Sequence, residues 1–404
     1  MYALDHFAVI QSICRIGLAS GDEKFRKQVE RLRDRLQKSH DKDSLEAIES
    51  LLNSGSRAAT LQPSKVELSR GPVGEMLDAR ISPPFDKESS APLAQIIMNP
   101  GGQTFPPILT EELKIALDAF LSEWKDGDKL RSMGIEPTHS CLIFGQPGTG
   151  KTVLAMHMAE RLGLPVVLAR LDGMMSSFLG TTARNIGTLF EFANRYRCLL
   201  LLDEFDALAK LRDDPQEVGE IKRVVNTLLQ CLDARGEKGL TVAITNHPAL
   251  LDPAIWRRFE VKIEMPLPPA GAREQLIRNF LVPIQVHETG VQLLVWASEG
   301  ATGAEVQSII NALKRFIILE GGDSANLSLG ANDVLLALQR YYVTSANLDE
   351  RPHLQALRQE PRNIARKLLE DENGSFTQVS VAQLLGRDQA TISRWMKEEP
   401  ALLE

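Results

Sequence analysis

Apolar positions recur along this chain in two rhythms, and the change from one to the other marks its organisation. Phe25, Val29, Leu32 and Leu36 fall four, three and four residues apart with Lys and Arg between them, and Leu45, Ile48, Leu51 and Leu52 form a second stripe. That spacing lines one face of a helix. Residues 1–54 are therefore expected to form an N-terminal helical domain, either a packed subdomain with a solvated basic face or a docking face for a partner or substrate. Residues 55–106 turn rich in Ser, Pro and Gly, including Gly71-Pro72, Pro83-Pro84 and Gly101-Gly102, and read as a linker with short ordered pieces.

Between 107 and 268 the rhythm changes. Apolar runs at Cys141–Phe144, Pro165–Leu168, Leu199–Leu202, Leu240–Thr245 and Val261–Met265 alternate with helical segments. Runs with no polar alternation suit strands covered on both faces, so this stretch predicts an α/β domain around a parallel sheet. The segment 269–343, with helical stripes only from 272 onward, predicts a smaller helical subdomain. In the C-terminal region, 344–404, a polar stretch precedes Val379-Ser-Val-Ala382-Gln-Leu-Leu-Gly386-Arg-Asp-Gln-Ala-Thr-Ile392-Ser-Arg-Trp395. The placing of Ala382, Gly386 and Ile392 is that of a helix-turn-helix at about 376–399, closed by Leu385 and Trp395. Gln389, Ala390, Thr391, Ser393 and Arg394 would then start or line its second helix.

Composition narrows the classes. With 404 residues, 43% apolar and 25% charged, the chain can build more than one core, and its net charge of −7 argues against a globally basic nucleic-acid or membrane-surface binder. Cys14, Cys141, Cys198 and Cys231 are widely spaced, which suggests neither a disulfide framework nor a zinc site and favours reduced cytoplasm. The central run Cys198–Leu202 is far shorter than the ~20 residues that span a bilayer. Asp5, His6 and Arg15 and the lack of a basic leader argue against a secretory signal, so a cytoplasmic protein with no membrane partner is expected.

The densest chemistry is Gly145-Gln146-Pro147-Gly148-Thr149-Gly150-Lys151-Thr152, which matches GxxxxGK[ST] and follows the run Cys141–Phe144. Glycines let the backbone N–H groups curl inward onto phosphate oxygens, and the helix starting near Val153 adds its positive end. Lys151 would reach the β- and γ-phosphates and Thr152 would hold Mg²⁺. The run Leu199–Leu202 then delivers Asp203 to the Mg²⁺ shell, through water, and Glu204 to a lytic water. At the end of the next run Asn246 is placed to orient that water. The adjacent Arg257 and Arg258 are placed to stabilise phosphoryl charge, provided the phosphate belongs to a neighbouring subunit.

Taken in order, these signatures resemble the AAA family of ATPases over residues 107–343, with Ile255-Trp-Arg257-Arg258-Phe-Glu260 similar to the subgroup containing katanin, spastin and the ESCRT-disassembling ATPase. The resemblance implies ATP and Mg²⁺ as cofactors. It also implies a P-loop domain of strand order 5-1-4-3-2 over 107–268, a helical lid over 269–343, and a homo-oligomeric ring, usually a hexamer, with the two arginines acting in trans. Gly300-Ala-Thr-Gly303-Ala304-Glu305-Val306 resembles the family's nucleotide-facing lid segment, which assigns Gly303 and Ala304 to the nucleotide. No lid arginine corresponds to the second sensor of other ring ATPases.

Met174-Met-Ser-Ser-Phe178-Leu179-Gly180 is similar to the loop that lines the central pore of AAA unfoldases, where an aromatic side chain grips an extended polypeptide. Two functional readings follow. In the first, an ATPase ring threads or remodels a protein substrate or partner. The arrangement also resembles bacterial AAA ATPases encoded beside subtilisin-like serine proteases in plasmid-stability and phage-defence modules, so a separate protease is one such partner. In the second, ATP controls a DNA-binding switch acting through the C-terminal helix-turn-helix; because Asp388, Glu398 and Glu399 offset Arg387, Arg394 and Lys397, protein contact is an equal use of that unit.

Overall fold

The computed structural model describes residues 14, 23–39, 47–49, 75–102, 106–174, 181–208, 218–235, 239–319, 328–344, 351–371 and 376–397. The chain divides into two compact units, Met1–Arg70 and Gly71–Glu404. In the first, helix α1 (Glu23–Ser39) buries Val29 and Leu36, two positions of the predicted stripe.

The second unit is built on a six-stranded sheet. Its strands are β1 (Ala94–Ile97), β2 (Ser140–Gly145), β3 (Val166–Ala169), β4 (Leu199–Leu202), β5 (Leu240–Thr245) and β6 (Val261–Met265), in the spatial order β1-β3-β4-β5-β2-β6. The last five are parallel and, numbered among themselves along the chain, lie in the order 5-1-4-3-2. β1 pairs antiparallel with β3 and forms one edge. It falls within the stretch read as a linker. Its four residues are flanked by a Pro- and Gly-rich sequence whose turn chemistry hides so short a strand, while Leu93 and Ala94 anchor it in the core.

Each interior strand feeds two cores, because successive side chains point to opposite faces. Cys141, Ile143, Leu199, Leu201, Val242 and Ile244 face one side, with helices α2 (Glu111–Lys125) and α3 (Lys151–Leu162). Leu142, Leu200, Leu202 and Ala243 face the other, against α4 (Thr181–Arg195), α5 (Val218–Arg235) and α6 (Pro253–Arg258). This double coverage is why the interior strands carry no charged residues.

The helical segment expected to be a lid, hereafter the lid, contains α7 (Ala270–Leu281), α8 (Glu288–Ala297), α9 (Gly303–Leu319) and α10 (Ala331–Thr344). It also holds a parallel pairing of Gln285–Val286 with Ser328–Leu329, too short for a hydrophobic pattern to reveal where only helical stripes were expected. Beyond it lie α11 (Pro352–Ala356), α12 (Pro361–Glu370), α13 (Gln378–Leu385) and α14 (Gln389–Lys397). α13 and α14 are joined by a tight turn that starts at Gly386, φ 59°.

The sequence pattern separates this region from the lid at 344, but the structure gives the two a common core. Leu354, Leu357, Ile364, Leu368, Val381, Leu384 and Ile392 are buried in one cluster with Leu293, Val306, Ile310, Val334 and Leu338 of the lid. Asn332 donates its side-chain amide to the Leu384 carbonyl at 2.7 Å, and Trp296 donates its indole N–H to Asp371 at 2.6 Å. No described helix is long and apolar enough to cross a membrane.

Candidate functional site

The sheet topology brings the glycine-rich loop, Asp203, Glu204 and Asn246 together at the carboxyl ends of neighbouring parallel strands. β2 ends in the glycine-rich loop, with β5 on one side and β6 on the other, and β4 lies next to β5. Register fixes the approach: Phe144 is opposite Thr245, and Leu202 is opposite Ala243. Asp203, Glu204 and Asn246 therefore emerge beside the loop.

Gly150 caps α3 in a left-handed conformation, φ 93°, and no side chain caps the first turn. Its free N–H groups and the helix dipole make an anion cradle. Lys151 is only 5% exposed, and its ammonium donates to the carbonyls of Gly145 at 2.9 Å and Gln146 at 2.7 Å. Burial pushes its pKa down, an effect that Asp203 and Asp206 oppose. A cation tethered only to neutral carbonyls at the mouth of an anion cradle is suited to a phosphate.

Thr152 donates its hydroxyl to Asp203 Oδ2 at 3.0 Å, and the Glu204 backbone N–H donates to Asp203 Oδ1 at 2.9 Å. A hydroxyl and a carboxylate so close supply hard oxygen ligands of the kind a divalent cation takes. The residues present thus fit a nucleotide triphosphate and its Mg²⁺.

Glu204 itself is left-handed, φ 52°, one of two described non-glycine residues with positive φ. The next residue, Phe205, is fully buried and meets Phe259 edge-on at 5.8 Å, so packing holds the turn while Glu204 stays exposed. Backbone strain fixed by its surroundings is typical of working sites.

A cavity of about 640 Å³ gathers these groups: Pro147 to Val153, Asp203, Glu204 and Asn246 line it together with Gly303 and Ala304 of the lid. Gly145 and Gln146 stand behind Lys151 through their carbonyls. The lid meets the loop directly, because Ala304 donates its backbone N–H to the Gly148 carbonyl at 3.1 Å. Gly148 has φ 79°, and a Cβ there would lie 2.9 Å from both Ala304 Cβ and Thr302 Oγ1, so close approach and backbone both require glycine.

The rest of the cavity was not foreseen. Pro106 to Leu109, Met265 to Pro269, Leu276 and Phe280 form an apolar wall, with Asn279 and Gln307 among the polar groups. Such a wall with a few polar groups suits a flat heteroaromatic base. The only local signal was the proline-rich exit from β6, Met265-Pro-Leu-Pro-Pro269.

Arg257 and Arg258 are not among the cavity's lining residues. They lie exposed on α6, with Arg258 Nε 2.8 Å from Asp233 Oδ1. Ser140 at the start of β2 donates its hydroxyl to the Arg258 carbonyl at 2.9 Å and accepts the Glu260 N–H at 3.1 Å, which ties the end of α6 to the sheet. Phe178, Leu179 and Gly180 lie outside the described residues. α13 and α14 bury Ala382 and Ile392 and leave Gln389, Ala390, Arg394 and Lys397 exposed, with Leu385 and Trp395 packed against the lid core.

Comparison with known proteins gives a family for the central segment. Residues 141–267 match the family described as ATPase family associated with various cellular activities (AAA). The AAA family ATPase y4kL of Sinorhizobium fredii is 38% identical over 206 residues, which are 50% of this chain and 60% of that relative. The 26S proteasome subunit RPT4 of Saccharomyces cerevisiae is 30% identical over 226 residues, 54% of this chain and 52% of the relative. The chain thus spans 60% and 52% of the lengths of these two curated relatives. The crystal structure of the FIGL-1 AAA domain aligns with a TM-score of 0.51 at 22% identity, covering 65% of this chain and 90% of that one, a likeness of fold.

Proposed function

Residues 141–267 form a domain of the AAA family of ATPases, and from that premise we propose that the chain hydrolyses ATP with Mg²⁺ and uses the energy to remodel a protein. One observation carries the reading. Lys151, the Thr152–Asp203 pair, Glu204, Asn246 and the lid turn at Gly303-Ala304 converge on a single cavity with an apolar wall at its other end.

In this reading the loop N–H groups and Lys151 bind the phosphates, and Thr152 holds the cation with Asp203 acting through water. The cation, when bound, neutralises the charge that develops on the phosphoryl oxygens. Glu204 accepts the proton of the attacking water at its carboxylate, and the Asn246 amide orients that water. Arg257 and Arg258 act on the neighbouring subunit's site, which makes the active unit a homo-oligomeric ring, a hexamer by family resemblance. Their exposure, and their absence from the residues that line their own chain's cavity, support that arrangement.

Phe178, Leu179 and Gly180 are the residues that grip an extended protein segment in this reading. The similarity to a protein described as a 26S proteasome subunit supports a link to proteolysis. In the finer form of the reading a separate subtilisin-like protease is the partner, in a bacterial defence setting.

Magnesium-dependent phosphate release by the full chain tests the enzymatic claim. Lys151→Ala should abolish nucleotide binding, and Thr152→Ala should raise the Mg²⁺ requirement. Release that persists in Lys151→Ala would sink the assignment. For the grip, Phe178→Ala should keep ATP turnover and lose substrate remodelling; remodelling at the wild-type rate would remove the loop from the account.

A second reading rests on the exposed face of α14. Gln389, Arg394 and Lys397 lie on the second helix of a helix-turn-helix, so ATP would switch a DNA-binding surface. Duplex DNA binding at low salt, lost in Arg394→Ala, supports it; no binding at low salt rejects it.

A further inference from the structure

The lid turn that reaches the phosphate loop is braced from outside the lid. Around that turn, the Thr302 N–H donates to Glu305 Oε2 at 2.7 Å, and the Glu305 N–H donates to Thr302 Oγ1 at 3.3 Å. This reciprocal cap starts α9 and sets the direction of the Ala304 N–H that meets Gly148.

The Glu305 carboxylate is itself clamped. Arg351 Nη2 lies 2.7 Å from both Oε1 and Oε2, and Nη1 donates to the Glu299 carbonyl at 3.1 Å. Its side chain is 22% exposed. Burial pushes the Glu305 carboxyl up, but the Thr302 N–H and the Arg351 guanidinium outweigh that and hold it below the ordinary carboxylate range. A Cβ on Gly300 would sit 3.0 Å from Arg351 Nη1, so the turn before α9 leaves room for the guanidinium.

Arg351 is in turn fixed from behind. It is the N-cap residue of α11, whose Leu354 and Ala356 are buried in the shared core and whose His353 stacks on Trp296 at 4.2 Å. A guanidinium offers several donors in a rigid plane, so it can hold a carboxylate and a carbonyl at once; an ammonium holds them less well.

We infer that Arg351, which lies beyond the lid, is a positioning residue of the nucleotide site: by clamping Glu305 and the Glu299 carbonyl it holds the turn 302–304 against Gly148 in the geometry that closes on a nucleotide. The inference rests on the proposed ATPase reading. It makes the C-terminal region a support of the nucleotide site, with Arg351 acting on the nucleotide only through Glu305 and the turn.

The test uses the full chain, with a fluorescent ATP analogue for affinity and steady-state phosphate release for KM and kcat. Arg351→Met should raise both Kd and KM about tenfold, equivalent to ~1.4 kcal/mol, with a much smaller change in kcat. Arg351→Lys should recover part of the loss. Wild-type Kd and KM in Arg351→Met would overturn the inference, as would a fall in kcat at unchanged KM, since a merely structural role lowers the folded fraction and leaves affinity alone. If Arg351→Met does not fold, Arg351→Lys carries the test: a KM raised about two- to threefold supports the role, and an unchanged KM rejects it. A wild-type chain that binds no ATP removes the ATPase reading and this inference together; one that binds ATP as tightly as Arg351→Met removes this inference alone.

Discussion

Replacing Leu384 with alanine should destabilise the lid, although the sequence pattern puts this residue in a separate C-terminal module. Leu384 is 0% exposed and lies in one apolar cluster with Leu293, Val334 and Leu335 of the lid. Truncating a fully buried leucine costs about 2–5 kcal/mol, the upper end where neighbours cannot collapse into the cavity. The Asn332 amide bonds the Leu384 backbone carbonyl, which the substitution keeps, so the loss is packing alone. A middle value of ~3 kcal/mol corresponds to a fall in Tm of about 4 °C for the unit Gly71–Glu404. Val379→Ala is the control, because Val379 is 50% exposed on the same helix. It should stay within about 0.5 kcal/mol of wild type. Calorimetric melting of the three proteins, with ATP turnover measured on the same samples, reads the result. A Leu384→Ala melt in which only a small separate transition moves, with turnover intact, would refute the shared core and restore an independent module.

Other outcomes follow from the same geometry. Mixing inactive Lys151→Ala with inactive Arg257→Ala should restore part of the ATP turnover, because the first supplies arginines to the intact phosphate loops of the second; no recovery in any ratio would count against sites shared between subunits. Gly148→Ala should weaken ATP binding about tenfold or more, since left-handed strain alone costs about 1–3 kcal/mol and its Cβ meets the lid turn; isothermal titration checks this. Glu305 has a folded pKa below its unfolded one, so its stabilising contribution is present above the ordinary carboxylate range, about pH 4, and is lost as pH falls through the folded value. The melting difference between wild type and Glu305→Gln should therefore be constant near neutrality and shrink in acid; a difference that grows as pH falls would contradict the clamp.

How much of this was legible beforehand depends on whether the signal is local. Gly145 to Thr152, Asp203-Glu204 and Asn246 are short patterns at strand ends, and runs such as Leu199–Leu202 announce strands covered on both faces, so the sheet and its catalytic edge could be read directly. The 2.7 Å contacts between Arg351 and Glu305 join residues 46 positions apart and leave no periodicity to detect. The same holds for the cluster that joins Leu384 to Leu293 and for the approach of Ala304 to Gly148. β1 was missed for a different reason: four residues among prolines and glycines carry too little pattern to outweigh the turn signals around them. The left-handed Glu204 is likewise a product of packing, since Phe205 must reach Phe259 and glutamate has no intrinsic preference for that backbone.

The central claim is that Glu204 is the base of an ATP-hydrolysing site assembled at the strand ends, and one comparison tests it most directly. ATP binding and phosphate release should be measured in parallel on wild-type chain and on Glu204→Gln, which keeps the size and the backbone hydrogen bond to Asp203. The account predicts that the variant binds ATP at least as tightly as wild type and releases phosphate at least a hundredfold more slowly, within the range that a positioned general base contributes. Phosphate release by Glu204→Gln at the wild-type rate, with ATP bound, would contradict it.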